Sequence, residues 1–438
     1  MSWTVCIDFG TAFSKAAAAP SGAWARFDTA QVRPLALRGA EAGNPFLLES
    51  AVFVDGANIL FGACAVSRAA ETGSKRQALR SFKTILSAPD LERALTTQAT
   101  GSIDPTRTLR QRDLVVLYLA FLMSAAERAV AADPALSGAG TLAWRYASPA
   151  WRDERIAAHR VIERMFGEAR LVRDRLRLSG DTVPLADARA ALEAARTSDT
   201  AAGWRMDMVY EATAAAACSA IALSDRSTNV IVVDVGAGTT DIAALCGAIE
   251  LPGARATLTR AGDFLDRVLL NLALVASPHL KTSEQQAGLW TAMAPHARDL
   301  KESLFDGGRA VFRNGEKVIN LKLSDFERDQ DFKQFAKDIE KLYLGALKAL
   351  RDQARKEGRK EIFAMAVGGG APAPFIQKLI RTSAGGGVKV SARPVVPEWT
   401  NAAMFGGNLA PVYAQLAVAI GGALAPEEML AAYDRATA

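Results

Sequence analysis

The chain has 438 residues, half of them apolar and 23% charged, which suits roughly two to three compact units and excludes a mainly disordered or collagen-like chain. Its net charge of 52 − 47 = +5 is too weak and dispersed over this length to call for nucleic acid or an anionic membrane as partner. The four cysteines, Cys6, Cys64, Cys218 and Cys246, lack metal-site pairing and disulfide density; no basic leader precedes the first apolar run, and the apolar stretches 115–126 and 414–425 fall short of a span of about 20 residues, so a cytoplasmic protein is predicted.

In chain order, residues 3–7 are apolar and partly β-branched, end at Asp8, turn at Gly10-Thr11 and continue as a small-residue run up to Pro20, the pattern of a strand, tight turn and second strand. A Pro/Gly-punctuated region follows. The spacing then predicts a helix over 113–132 with Leu114, Leu117, Tyr118, Phe121, Leu122 and Ala125 on one face. A strand at 141–146 leads through Pro149 to a helix with Ile156, Val161, Ile162 and Met165 inside, stopped by Gly167. The Arg- and Ala-rich block 168–203 carries a helix after Pro184, and a strand at 206–209 runs into Glu211 and an Ala-rich helix. The opening pattern then recurs: 230–233 is apolar, ends at Asp234, turns through Gly236, Ala237, Gly238, Thr239 and Thr240, and resumes at Asp241. Two such hairpins imply two similar lobes. Beyond them the pattern predicts helices at 263–276 and 293–304, a hairpin turning at Asn314-Gly315, a long helix ending at Gly358, a strand at 362–367 that breaks at Gly368-Gly369-Gly370, and a helix from Pro374.

The two glycine turns carry the chemistry. A glycine at a strand end lets backbone N–H groups approach phosphate oxygens, hydroxyls at Thr11 and Thr239 add donors, and Asp8 and Asp234 can hold a hydrated Mg²⁺. Two such turns facing each other would clamp a triphosphate. A Rossmann reading fails because Pro20 interrupts the run where a helix should follow the first turn, and no Gly-x4-Gly-Lys-Ser/Thr P-loop occurs.

The segment Val5-Cys6-Ile7-Asp8-Phe9-Gly10-Thr11 resembles the first phosphate motif of the DnaK-type heat-shock chaperones, in the superfamily of actin and the sugar kinases. Val233-Asp234-Val235-Gly236-Ala237-Gly238-Thr239-Thr240-Asp241 resembles their second. Pro149-Ala150, Glu211 to Ala216, and Val367-Gly368-Gly369-Gly370 resemble the connecting and adenosine motifs, in the family's order. The resemblance implies an α/β, two-lobed actin-like ATPase fold, each lobe a mixed sheet flanked by helices with the nucleotide cleft between them. Lobe I would span 1–228 with an insertion at about 22–108 and the return of 405–438, and lobe II 229–404 with an insertion at about 264–323. It also implies ATP or ADP with Mg²⁺ as cofactors. Asp8, Asp234 and Asp241 would arrange the hydrated cation and the attacking water, Lys83 would neutralise charge on the γ-phosphate, and Glu211 would lie near the water. Gly10, Thr11, Ala12, the residues 236–240, Lys301 and Gly368, Gly369 and Gly370 would contact the nucleotide.

Departures from the pattern are Ala237 for a glycine, Ala12-Phe13 in the first motif, and Ala371-Pro372 where the family often has an arginine. On the adenosine-contacting helix only Lys301 of the family's pattern survives, within Arg298-Asp299-Leu300-Lys301-Glu302. Fifteen residues follow Ala423, too few for the chaperones' peptide-binding sandwich, so a chaperone-like or regulatory ATPase lacking that domain is expected. The alternatives are a small-molecule kinase of the same superfamily and a nucleotide-dependent scaffold or filament protein; protein partners or clients would use lobe surfaces. His159, His279 and His296 are expected at the surface or at helix caps, and the arginines at 152–177 on a solvated face interleaved with acids.

Overall fold

The structure is a computed structural model and describes residues 2–23, 31–38, 43–73, 76–80, 82–86, 88, 90–138, 141–148, 156–204, 206–223, 228–247, 249–315 and 317–430. The chain divides into two units, Met1–Ser224 with Val396–Ala438, and Asp225–Val395.

In the first unit β1 (Ser2–Asp8) pairs antiparallel with β2 (Phe13–Pro20). Two short strands, β3 (Arg33–Pro34) and β4 (Leu48–Glu49), extend β2. A small sheet follows from β5 (Val52–Asp55) and β6 (Asn58–Phe61). On the other side of β1 lies β7 (Thr141–Ser148), parallel to it. A third strand of the small sheet, β8 (Thr182–Pro184), pairs with β6, and β9 (Asp207–Tyr210) runs parallel to β7 at the main sheet's edge. The main sheet therefore has the order β3-β2-β1-β7-β9. After its first residue β1 is buried throughout, as a strand covered on both faces must be, which is why it reads as an unbroken apolar run.

The helix Gln111–Ala132 differs from the expected one-sided pattern: its residues from Asp113 to Ala126 are all buried, because it crosses the unit's interior with neighbours all round. By length and composition alone it could cross a membrane, yet most of it is inside the unit. The helix Ile156–Leu176 does not stop at Gly167. A Cβ on Gly167 would lie 2.1 Å from the carbonyl oxygen of Ala201, so this glycine admits a crossing backbone within the helix instead of ending it. The charged block is likewise less solvated than expected. Arg112 grips the buried Glu168 with both terminal nitrogens at 2.5 and 2.8 Å, and the Arg170 guanidinium lies 5.6 Å from the Trp204 ring centroid. Arg152 and Arg155 fall outside the described residues. The helix Leu185–Arg196 buries Ala188, Ala191, Leu192 and Ala195. The closing helix Tyr413–Leu424 packs on the helix Glu211–Ala222.

In the second unit β10 (Asn229–Val235) pairs antiparallel with β11 (Thr240–Cys246), which also takes β12 (Ile249–Glu250) and β13 (Ala256–Leu258). A separate two-stranded ribbon joins β14 (Arg309–Asn314) to β15 (Lys317–Lys322). On the far side of β10 run β16 (Glu361–Val367) and then β17 (Lys389–Ala392), both parallel. The order β12-β11-β10-β16-β17, with one antiparallel and then two parallel pairings from β11 outward, repeats that of the first unit. Both sheets are mixed and flanked by helices. Where one helix was expected over 293–304 there are two, Ser283–Met293 and Ala297–Gly307, separated by a 3-10 turn containing Pro295. The long helix Gln330–Lys356 buries Phe332, Phe335, Ile339, Tyr343, Leu347 and Leu350 and packs on β10 and β11.

Candidate functional site

Asp8 ends β1 and is 3% exposed. Its register partner on β2 is Lys15, whose ammonium lies 2.6 Å from Asp8 Oδ2. On the other side Lys83 Nζ is 3.7 Å from Asp8 Oδ1 and donates to Glu211 Oε1. Burial alone would raise the Asp8 carboxyl, but the two ammonium groups overcome it and hold its pKa below the ordinary carboxylate range. Two lysines and two acids thus meet at the mouth of the first glycine turn.

Packing explains why they meet. Phe9, Phe82 and Tyr118 form an aromatic cluster, with centroid separations of 5.5 Å (Phe9–Phe82), 5.7 Å (Phe9–Tyr118) and 4.7 Å (Phe82–Tyr118). Phe82 opens the short helix Phe82–Leu86, so burying its ring brings the next residue, Lys83, to Asp8. The turn itself is tied down: Gly10 N donates to Asp8 O, Ser50 Oγ donates to Gly10 O at 2.7 Å, and Ser50 N donates to Ala12 O. A Cβ at position 10 would sit 2.1 Å from the Phe13 carbonyl oxygen. Thr11 is buried and Ala12 half-buried in the same turn. Glu211 is the first residue of its helix and 3% exposed. Pro149 and Ala150, which resemble a connecting motif, fall outside the described residues.

In the second unit Asp234 and Asp241 are direct cross-strand partners, both buried. Like charges so placed repel, and a hydrated dication is the kind of ligand that relieves them. Thr257 Oγ1 donates to Asp241 Oδ1 at 2.5 Å. The turn over 236–239 closes with Gly236 N donating to Thr239 O at 2.9 Å, and Thr240 Oγ1 donates to Arg260 O. The helix Gly262–Val275 docks on this turn, since Gly262 N donates to Gly236 O and Asp263 N to Ala237 O. Lys301 pins that start: its Nζ donates to Gly262 O at 2.8 Å and pairs with Asp266 Oδ1 at 2.6 Å. Gly368, at φ +81°, lies so close that a Cβ would fall 2.3 Å from Asp234 Oδ1, and Gly370 N donates to Val235 O. Gly368, Gly369 and Gly370 therefore abut the Asp234 strand end.

The donor chemistry fits Mg²⁺ held through water by one or two carboxylates with phosphates completing the shell; among the described residues no cluster of three or more His, Cys, Asp or Glu could cage a metal. Lys15 belongs to no motif visible in the sequence. Its signal is the register of the first hairpin, which sets position 15 opposite position 8. His159 departs from its expected surface place: it is 2% exposed, and burial lowers its pKa from 6.5 to about 4. His279 and His296 are exposed, as expected.

No family model matches the chain. A stretch of 63 residues, 14% of the chain, is 46% identical to the Actin-like protein MamK of Magnetospirillum gryphiswaldense. A stretch of 57 residues, 13% of the chain, is 47% identical to the Actin-like protein MamK of Paramagnetospirillum magneticum. The matches cover 18% and 16% of those relatives' lengths. That partial likeness agrees with the fold, two mixed sheets of repeated topology flanked by helices, which is that of an actin-like protein.

Proposed function

We propose that this chain binds and hydrolyses Mg²⁺-ATP and that its nucleotide state controls assembly with further copies of itself. The observation that carries the reading is the repeated hairpin ending in Asp8 and in Asp234, each followed by a glycine turn. The assembly part is supported by the relatives, which are named actin-like proteins and not chaperones.

The residues would divide the work as follows. Lys15 and Lys83 neutralise charge on phosphate oxygens, and backbone N–H groups of residues 10–12 and 236–240 with the hydroxyls of Thr11 and Thr239 hold them. Glu211, held by Lys83, orients the attacking water. Asp8 in the first unit, and Asp234 with Asp241 in the second, are the carboxylates that would hold hydrated Mg²⁺, which when bound would supply further neutralisation of the phosphates. Gly368 and Gly370 let the turn after β16 close on Asp234 and Val235, and the nucleoside would lie along that turn. Lys83 paired with Glu211 also favours a second reading, a slow DnaK-like hydrolytic switch without assembly.

Phosphate release and sedimentation of the full chain with Mg²⁺-ATP, Mg²⁺-ADP and no nucleotide test both. ATP-dependent pelleting supports the first reading, turnover without pelleting the second, and neither result with any nucleotide overturns both. Lys83→Ala and Asp234→Asn should each lower turnover about a hundredfold, on the order of 3 kcal/mol of barrier, while the fold persists.

A further inference from the structure

The ribbon β14–β15 has two unlike faces. Ala310, Ile319 and Leu321 are buried on one, with the ring of Phe312 beside them, while Arg309, Val311, Arg313, Val318, Asn320 and Lys322 are exposed on the other. On the exposed face Arg309 stands directly opposite Lys322, an arrangement that costs stability in an isolated ribbon because like charges repel. Val311 and Val318, 46% and 45% exposed, are diagonal neighbours between these charges. Among the described residues Arg309, Arg313 and Lys322 have no carboxylate partner within ion-pair distance.

An acidic surface is present on the same subdomain. The helix Ala297–Gly307 packs on β14 and on the helix Gly262–Val275 through Ala297, Leu300, Lys301 and Leu304. Its exposed residues Asp299, Glu302 and Asp306 recur at three- and four-residue spacing on the opposite side of the helix from those contacts; Glu302 is held by Arg298 at 2.9 Å, whereas Asp299 and Asp306 have no ion-pair partner among the described residues. The ribbon's cations thus point away on one side of this layer and the helix's carboxylates on the other.

We infer that the exposed face of β14–β15 docks a second copy of this chain through that copy's Asp299 and Asp306. The inference rests on the assembly reading above and names the surface it uses. A contact between two different faces of one chain is heterologous, so each added copy presents a fresh basic ribbon and a fresh acidic helix, and growth continues instead of closing at a dimer. Val311 and Val318 supply the apolar centre, and the charges set orientation.

The test uses the full chain with Mg²⁺-ATP and reads assembly by sedimentation across a salt series, with circular dichroism as the check on folding. Arg309→Glu with Arg313→Glu, and separately Asp299→Lys with Asp306→Lys, should each raise the concentration needed for assembly by at least about tenfold. Mixing the two variants in equal amounts should restore pelleting, because the acidic ribbon of one then meets the basic helix of the other. If a reversed variant does not fold, Arg313→Gln and Asp306→Asn give the same direction with a smaller loss. Wild-type assembly matched by the reversed variants, alone and unmixed, overturns the inference and leaves the assembly reading standing. A wild type that stays monomeric in every nucleotide state overturns both. Ribbon variants that lose heparin binding but still assemble would assign the face to an anionic polymer and also overturn it.

Discussion

The ammonium of Lys15 lies 2.6 Å from Asp8 Oδ2, and the two residues are register partners in the first hairpin, with side-chain exposures of 13% and 4%. Breaking a buried pair by removing one partner leaves the other charge desolvated. Lys83 at 3.7 Å offsets part of that, so Lys15→Met should destabilise the first unit by on the order of 2 kcal/mol and weaken triphosphate binding. The sign of the pH dependence follows from the lowered Asp8 pKa. A carboxyl that is more acidic folded than unfolded contributes stability above its unfolded value near 3.8 and loses it as pH falls through the folded value. Denaturant melts from pH 7 to pH 2 should show a shallower acid loss in Lys15→Met than in wild type; equal slopes and equal midpoints would remove Lys15 from the site.

Close approach of backbones sets a second prediction. A Cβ on Gly421 would lie 1.7 Å from the carbonyl oxygen of Ala214, where the closing helix crosses the helix that begins with Glu211. Neither backbone can rotate away as a side chain can, so Gly421→Ala should cost about 3 kcal/mol or more and displace Glu211. Thermal unfolding and phosphate release should fall together. A melting temperature unchanged from wild type would show that the crossing is looser than these distances require.

His159 yields a third. Burial holds its imidazole neutral, with the pKa lowered from 6.5 to about 4. For a base that is harder to protonate when folded, the unfolded chain takes up the proton first, so stability is lost as pH falls from about 6.5 toward 4 and is unaffected above that window. The full shift corresponds to up to about 3 kcal/mol. His159→Phe should flatten the stability profile between pH 6.5 and 4 while leaving the Asp8 loss at lower pH in place; an unchanged slope in that window would place the titration elsewhere.

The parts of this architecture that sequence makes legible are those written locally. Both hairpins, their aspartates and their glycine turns are visible because an apolar strand, an acid and a glycine follow one another within a few residues. Lys15 is hidden because its meaning lies in strand register, and Ser50 and Tyr118 because they reach the first turn from distant segments. Gly167 misleads because a glycine that admits a crossing chain and one that ends a helix look alike without the neighbour. The helix Gln111–Ala132 misleads in the other direction: choosing one face from its apolar residues overlooks that a helix apolar all round belongs in the interior.

Lys301 marks where motif resemblance and geometry lead to different experiments. Resemblance sets it at the adenosine, whereas its ammonium lies 2.8 Å from Gly262 O and 2.6 Å from Asp266 Oδ1, and the residue is 9% exposed. Gly262 in turn donates to Gly236 O on the second glycine turn. Lys301→Ala removes both contacts and leaves Asp266 without its cation, loosening the seat of a turn proposed to hold phosphate without reading the base. ATP, ADP and GTP affinities should therefore fall by similar factors, about tenfold for a loss near 1.4 kcal/mol. Titration calorimetry of the three nucleotides against wild type and Lys301→Ala decides between the two roles. If ATP affinity falls while GTP affinity holds, Lys301 reads the base and its grip on Gly262 is incidental.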